Sequence, residues 1–516
     1  MSAEEYSDDA NASMVTGLKR KTVQEYIDEA PVWPDGTATS LVPMTSMQWR
    51  IFALACAGKF FEGMLVFMTG VALPLISLEF KLKPTDMGFV TAATLAGILV
   101  GASALGGLAD FFGRKKMFII EMIIFTVFLT ALTFSPNFVL LVIFLFGAGV
   151  ALGCDYPTAH LVISESIPTK MRGRLVLGAF AFQAVGAFFG TGIGILILRE
   201  VQEVEAWRWM YATAIIPAIF VIIGRFFVTE SAHWQVSKGH IEKAEKTTAR
   251  LLKRHPIYPK RIHLHSPHKG HEHKKPKSNY AALFNKDNRK ATILASVPWF
   301  LQDLGTYGIG IFTPTILAAM IGAKATEHGL LDVINNDMLA AEGSAIMDIF
   351  FFIGIIGAIL LVDKVGRIKL QILGFIGCAI GLLLAALSVR ADGSNNMPLL
   401  MVGFTLFFFM TNLGPNAMTY LLAGEVFPTH VRGMGAGFAA SFAKIGAVLT
   451  AFLFPVLLKV IGTSILLYGL VGIFVLGAVV TFIFAIETKG LNLEDIGKKP
   501  QEIEIEKERA IDAEIA

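Results

Sequence analysis

Twelve apolar runs decide what this chain can become. They occupy 49–76, 88–108, 117–134, 138–162, 175–198 and 209–228, then, beyond a polar stretch, 291–318, 343–362, 370–388, 398–423, 436–459 and 464–486. Runs of about 20 apolar residues are long enough to cross roughly 30 Å of hydrocarbon as helices. Of the 516 residues, 54% are hydrophobic and 16% are charged, too few charges to cover the surface of a soluble protein of this length. An all-α membrane protein with 12 transmembrane helices is expected.

Lys and Arg cluster after the second run ("GRKK"), the fourth ("KMRGR"), the sixth, the eighth ("DKVGRIK") and the twelfth, whereas the opposite loops "SPN" and "REVQEVEA" are short and neutral or acidic. The positive-inside rule then puts both termini and the central loop in the cytoplasm. The expected organisation is a cytoplasmic tail over 1–47, a six-helix bundle over 48–228, a cytoplasmic loop over 229–290, a second six-helix bundle over 291–487 and a cytoplasmic tail over 488–516. The first tail has no apolar core like that of a cleaved signal peptide, and a short amphipathic helix is expected near "TVQEYIDEA". In the central loop, "HPIYPKRIHLHSPHKGHEHKKPK" reads as a disordered basic linker against anionic headgroups, with metal binding as the rival reading.

Three charged phrases recur in order. "DFFGRKK" from Asp110 returns as "DKVGRIK" from Asp363, 253 residues later; "ESIPTKMRGR" from Glu165 returns as "EVFPTHVRGM" from Glu425, 260 later; "ESAHWQVSKG" from Glu230 returns as "ETKG" from Glu487, 257 later. Near-constant offsets mark two homologous six-helix halves in parallel orientation. The phrases read as a cytoplasmic gate made of Asp110, Gly113, Arg114, Glu165 and Arg172 in one half and Asp363, Gly366, Arg367, Glu425 and Arg432 in the other. Glu165 and Arg172 are expected to join the Asp110–Arg114 cluster, and Glu425 and Arg432 to do the same in the second half. Membrane anchoring alone accounts for the lysines but does not require the acids.

These phrases, with the closing "ETKGLNLEDI", resemble those of the major facilitator superfamily, in particular its sugar-porter-like branch, over residues 48 to about 496. A narrower resemblance is to phosphate:proton symporters and related bacterial metabolite:proton symporters. It is carried by "GCDYPTAHLVISE" in the fourth run, "WFLQDLGTYG" in the seventh and "NLGPNAMTYLLAGEVFP" in the tenth. It implies that Tyr156, Gln183, Trp299, Asp303, Tyr307 and Asn416 surround an anion, with Lys444 beside it and Asp303 taking part in proton coupling. Where that family has two Asp in the first run, this chain has Glu62 and Leu65, and it adds Lys59.

The intramembrane charges can also be read on their own terms, since each is costly unless paired or hydrated. Trp299, Asp303 and Tyr307 recur at i, i+4 and i+8, so they share one helix face. Lys59 and Glu62, at i and i+3, either neutralise each other or leave Glu62 to carry a proton. Tyr156 and Asn416 are 260 residues apart and Gln183 and Lys444 are 261 apart, which makes the proposed site a product of equivalent positions in both halves. Pro157 and Pro415 adjoin it and permit bending. Asp155 is a second protonation candidate or the partner of a nearby cation. Glu121 and Arg225 read as interfacial snorkelers, and Asp348 as a wet residue near the outer end of its helix.

Cys56, Cys154 and Cys378 have neither metal nor disulfide spacing, and no nucleophile–base pair or phosphate loop is evident, so neither an enzyme nor a cofactor is expected. The expected activity is proton-coupled symport of a small anion, inorganic phosphate being favoured, by a functional monomer in the plasma membrane (the inner membrane of a bacterium). Its partners would be a small-molecule substrate, protons and the lipid bilayer, with no nucleic acid. Uptake of an organic acid, an aromatic carboxylate or a sugar is the alternative, and a non-transporting nutrient sensor a further one.

Overall fold

The computed structural model describes residues 21–30, 42–105, 107–253, 262–264, 280–322, 329–389, 396–428 and 431–489. The first half contains α1 Ser46–Phe80, α2 Pro84–Ala104, α3 Arg114–Thr133, α4 Phe138–Ser166, α5 Thr169–Glu200 and α6 Ala206–Phe226. The second half contains α7 Arg289–Gly322, then α8 Leu330–Val365, α9 Arg367–Leu387 and α10 Met397–Glu425. It closes with Arg432–Ile483, which Gly462 (φ 78°, ψ 165°) breaks into α11 and α12. Among the described residues, twelve long helices in two sets of six therefore follow the expected order.

Local signals set the ends. Thr45 and Gln48 cap α1 reciprocally: the Gln48 N–H donates to Thr45 Oγ1 at 3.2 Å and the Thr45 N–H to Gln48 Oε1 at 2.7 Å. Asn137 caps α4 by accepting the Leu140 N–H at 3.0 Å. α8 starts at Leu330, well before the expected 343, because "LLDVINNDMLAAE" keeps Ile334, Ala340 and Ala341 buried at helical spacing although its polar residues interrupt the apolar run. The two prolines beside the site behave differently: α4 passes through Pro157 unbroken, whereas α10 breaks at Gly414 (φ −118°, ψ −98°), immediately before Pro415.

Lipid gives helices no hydrophobic reason to associate, so close packing through small residues does that work. A Cβ on Gly63 of α1 would strike the Gln183 carbonyl of α5, and one on Gly186 of α5 would strike the Phe60 carbonyl of α1. The halves meet along α2 with α11 and along α5 with α8, two pairings that the internal repeat exchanges. In the first, Thr91 Oγ1 donates to the Ala451 carbonyl at 2.7 Å. In the second, Thr191 Oγ1 donates to Asp348 Oδ2 at 2.7 Å.

The central loop is helical ahead of the His-rich phrase. Helices Ala232–Ser237 and Ile241–Leu251 pack with the tail helix Val23–Asp28, which falls where an amphipathic helix was expected. Their shared core includes Tyr26, Ile27, Val228, Ala244, Leu252, Ile262 and Leu264. Scattered apolar residues are enough here because α1 and α4 contribute Ile51 and Val162 from below. Most of the His-rich phrase lies outside the described residues.

Candidate functional site

Between the halves lies a narrow cavity lined by Lys59, Tyr156, Gln183, Trp299, Asp303, Tyr307, Asn416 and Lys444, among others. All seven residues expected around a substrate are thus brought together, from α4, α5, α7, α10 and α11. Helical spacing explains the α7 share: three polar side chains four residues apart form one wall.

The charges are arranged as a closed cluster. Lys59 Nζ is 2.5 Å from Glu62 Oε2. Lys444 Nζ donates to the Tyr307 hydroxyl at 2.6 Å and lies 3.5 Å from Glu62 Oε1 and 3.6 Å from Asp303 Oδ2. Tyr307 OH in turn donates to Glu62 Oε1 at 3.1 Å, and Gln183 Nε2 donates to Tyr307 OH at 3.0 Å. Glu62 is 2% and Asp303 1% exposed, so neither carboxylate has bulk water to fall back on. With both acids ionised the two lysines balance them, 2 − 2 = 0. Asp303 Oδ2 has the Lys444 ammonium at 3.6 Å but no hydrogen-bond partner within normal range.

Aromatic side chains build the remaining wall. Tyr420 stacks on Phe180 (centroids 4.6 Å apart) and meets Tyr156 and Trp299 edge-on at 6.0 and 6.2 Å. Lys59 sits 4.2 Å above the Tyr156 ring, a cation–π contact. Asn416 is oriented from behind: Gln302 Nε2 donates to its Oδ1 at 3.2 Å, and its Nδ2 donates to Asn412 Oδ1 at 2.5 Å. Tyr420, Phe180 and Gln302 were missed in the sequence. Tyr420 carried a signal, since it lies four residues from Asn416 on the same face; Gln302 did not.

Asp155 lies outside this cavity and lines an adjoining one with Lys59, Glu62, Tyr156 and His160. It is 2.5 Å from Arg225 Nη1. Arg225 is fully buried and does not snorkel: it donates to the Phe118 carbonyl at 2.5 Å and to the Leu54 carbonyl at 3.2 Å. Glu121 is also buried and accepts from Thr158 Oγ1 at 2.8 Å. Both were misjudged because proximity to a helix end was taken for exposure, whereas α3, α4 and α6 pack there. Asp348 is dry as well, only 1% exposed.

The gate phrases form two copies of one structure. Arg114 grips Glu165 with two bonds of 3.1 and 3.0 Å and Asp110 with a third at 2.9 Å. Arg367 grips Glu425 at 3.0 and 3.2 Å and Asp363 at 3.3 Å. Such forked arginine–carboxylate pairs fix orientation as well as charge. Gly113 and Gly366, at φ 101° and 100°, make the sharp turn before each arginine. Each turn has an acid beside it that sequence reasoning did not assign. Glu230 accepts the Lys115 N–H at 2.9 Å, and Glu487 accepts the N–H groups of Arg367 and Ile368 at 3.0 and 3.2 Å. Both neutralise a helix N-terminus. The second arginines are placed differently from expectation. Arg172 donates to Gln24 Oε1 of the tail helix at 3.1 Å, and Arg432 to the Phe427 carbonyl at 3.1 Å. At this charged face, Arg174 pairs with Asp363 at 3.5 Å across the halves.

Comparison with known proteins agrees with this geometry. The family profile described as "Sugar (and other) transporter" matches residues 46–499. "Putative metabolite transport protein YaaU" of Escherichia coli (strain K12) is 29% identical over 450 residues, covering 87% of this chain and 94% of that protein. "Major myo-inositol transporter IolT" of Bacillus subtilis (strain 168) is 29% identical over 441 residues, covering 81% and 86%. "Putative inorganic phosphate transporter C1683.01" of Schizosaccharomyces pombe (strain 972 / ATCC 24843) is 25% identical over 519 residues, covering 88% and 89%. Among solved structures, the xylose transporter XylE from E. coli in a partially occluded inward open conformation superposes with a TM-score of 0.71 at 18% identity, covering 87% of this chain and 100% of XylE, a likeness of fold. A multi-pass membrane protein of two six-helix halves, the chain belongs to the sugar (and other) transporter family of the major facilitator superfamily.

Proposed function

We propose that this transporter carries a small inorganic anion, phosphate foremost, inward together with protons, by rocking one half against the other around the central cavity. The observation that carries this reading is the neutral four-charge cluster of Lys59, Glu62, Asp303 and Lys444. Adding one proton to either acid leaves a net charge of +1 and frees lysine valence, which attracts an anion into a buried site. A protonated Asp303 also gains an O–H to donate to the anion, whereas its carboxylate would repel it. Proton and anion thus favour each other's binding, which is the linkage a symporter needs. Lysines suit this role as movable point charges that grip and release. The Asp110, Arg114 and Glu165 cluster and its repeat would hold the cytoplasmic face, with the Arg174–Asp363 pair released as that face opens.

A second reading, proton-coupled sugar uptake, has its own support. Gln183, Asn416 and Trp299 offer amides and an aromatic face in the cavity, and one relative is named as a myo-inositol transporter. It gives Lys59 and Lys444, which the two acids balance in this arrangement, no ligand charge to meet when an acid is protonated.

Thermal denaturation of the purified protein against phosphate, nicotinate, small organic acids and hexoses, at fixed ionic strength, separates the readings. A ligand at about 100 times its Kd adds about 2.7 kcal/mol, enough to move Tm by degrees. Phosphate is expected to stabilise, more so as pH falls from 8 to 6. Stabilisation by a hexose and not by phosphate would select the sugar reading.

A further inference from the structure

Two acids on α8 take no part in the cavity. Asp337 and Asp348 are each 1% exposed. They are 348 − 337 = 11 residues apart, about three turns, so they share one face of α8 and lie roughly 16 Å apart along it. That face also buries Ala341, Ser344 and Phe351, so it is the face turned into the protein. Neither oxygen of Asp337 has a hydrogen-bond partner. Asp348 has Thr191 of α5, whose hydroxyl donates to Oδ2 at 2.7 Å across the seam between the halves. α8 packs against α1, α5, α7, α9 and α10, and among the described residues none of these turns a charged side chain onto Asp348.

A carboxylate with one hydroxyl donor and no cation is strongly disfavoured in such a place. The closed arrangement of α5 and α8 therefore calls for a neutral Asp348. When these helices part, water reaches the carboxyl, which then ionises as an ordinary aspartic acid does, at about pH 4. We propose that Asp348 is a proton-binding site on the side of the cavity opposite the charged gate, and that loading it is a condition for α5 and α8 to close. The proton comes from water on the open side and adds to a carboxylate oxygen; the carboxylate gives up only its hydrogen bonds to that water. Asp337 lies three turns nearer the outer end on the same face. The inference rests on alternating access and deepens it: acid on that side drives closure whatever the cargo, because a ligand that binds one state better shifts the population toward it.

The test needs no cargo. Spin labels on Glu200→Cys and Leu331→Cys, exposed residues at the ends of α5 and α8, report the separation of the halves in full-length protein in nanodiscs; Cys56, Cys154 and Cys378 are buried and take no label. The short-distance population is expected to grow as pH falls from 8 to 5. Asp348→Asn, which cannot ionise, is expected to remain short throughout. Thr191→Val keeps the acid but loses a bond made only on closure, so its midpoint moves to lower pH by roughly half a unit to one unit. Parent distances that ignore pH, an Asp348→Asn profile with the parent's midpoint, or a Thr191→Val midpoint that stays put would each overturn the proposal. Phosphate binding measured on the same samples reports separately on the cargo.

Discussion

Glu62 of α1 and Lys444 of α11 stand 3.5 Å apart, a contact that joins the two halves. Lys444 also lies 3.6 Å from Asp303 of its own half, so a single ammonium arbitrates between an acid on each side.

Removing that ammonium should hurt anion binding more than it hurts folding. Lys444→Gln leaves Lys59 against two acids, 1 − 2 = −1, and the pocket turns anion-repelling unless an acid protonates. Phosphate affinity is expected to fall by about 100-fold or more, the loss of about 3 kcal/mol typical of a buried charged hydrogen bond. The double variant Lys444→Gln with Asp303→Asn restores neutrality, so it should recover thermal stability without recovering proton dependence. Binding titrations at pH 6 and pH 8 give the comparison.

The Tyr307 hydroxyl accepts from Lys444 and Gln183 and donates to Glu62, at 2.6, 3.0 and 3.1 Å. Tyr307→Phe keeps the ring under Lys444 and deletes only these bonds. About 1–2 kcal/mol of orientation is lost, which appears as a roughly 10-fold weaker Kd. A Kd equal to the parent's would remove Tyr307 from the site.

Arg225 and Asp155 form a fully buried pair at 2.5 Å. Arg225→Met strands Asp155 and should cost about 3–5 kcal/mol, whereas adding Asp155→Leu should restore much of it. Thermal melts of the two variants decide the matter: equal melting temperatures would mean that the pair is not the source of the loss.

Glu425 is held twice by Arg367 and also accepts from Thr488. Glu425→Gln, or Glu165→Gln in the other half, should loosen the charged face by about 1 kcal/mol, because these groups are part-exposed. A cysteine placed at Ser103, whose hydroxyl is 2.7 Å from that of Ser441 across the seam, should then react faster with a thiol reagent added from that face. Unchanged reactivity would make the clusters structural only.

The distribution of legible features follows from what each kind of signal measures. Span order and the duplication were open to reading, because apolar length and repeated charged phrases are local facts. The cavity residues were reachable through the resemblance to phosphate:proton symporters, with helical spacing and the offset between halves falling on the same positions, as with Tyr156 and Asn416. Buried ion pairs were not. Arg225 is stabilised by Asp155, 70 residues earlier in the chain (225 − 155), and nothing local to either residue reports the pairing. α8 was cut short because polar residues in "VINNDM" interrupt a helix whose buried face continues through Ile334 and Asp337. The loop helices at 232–251 owe their order to the tail helix and to α1 and α4, a tertiary cause that composition does not record.

Uptake of radiolabelled phosphate into proteoliposomes, with and without an inward-directed pH gradient, tests the central claim most directly. The parent protein should accumulate phosphate only with the gradient imposed, and Asp303→Asn should exchange phosphate without being driven by protons. Phosphate uptake indifferent to the gradient, or a hexose accumulated in its place, would contradict the account.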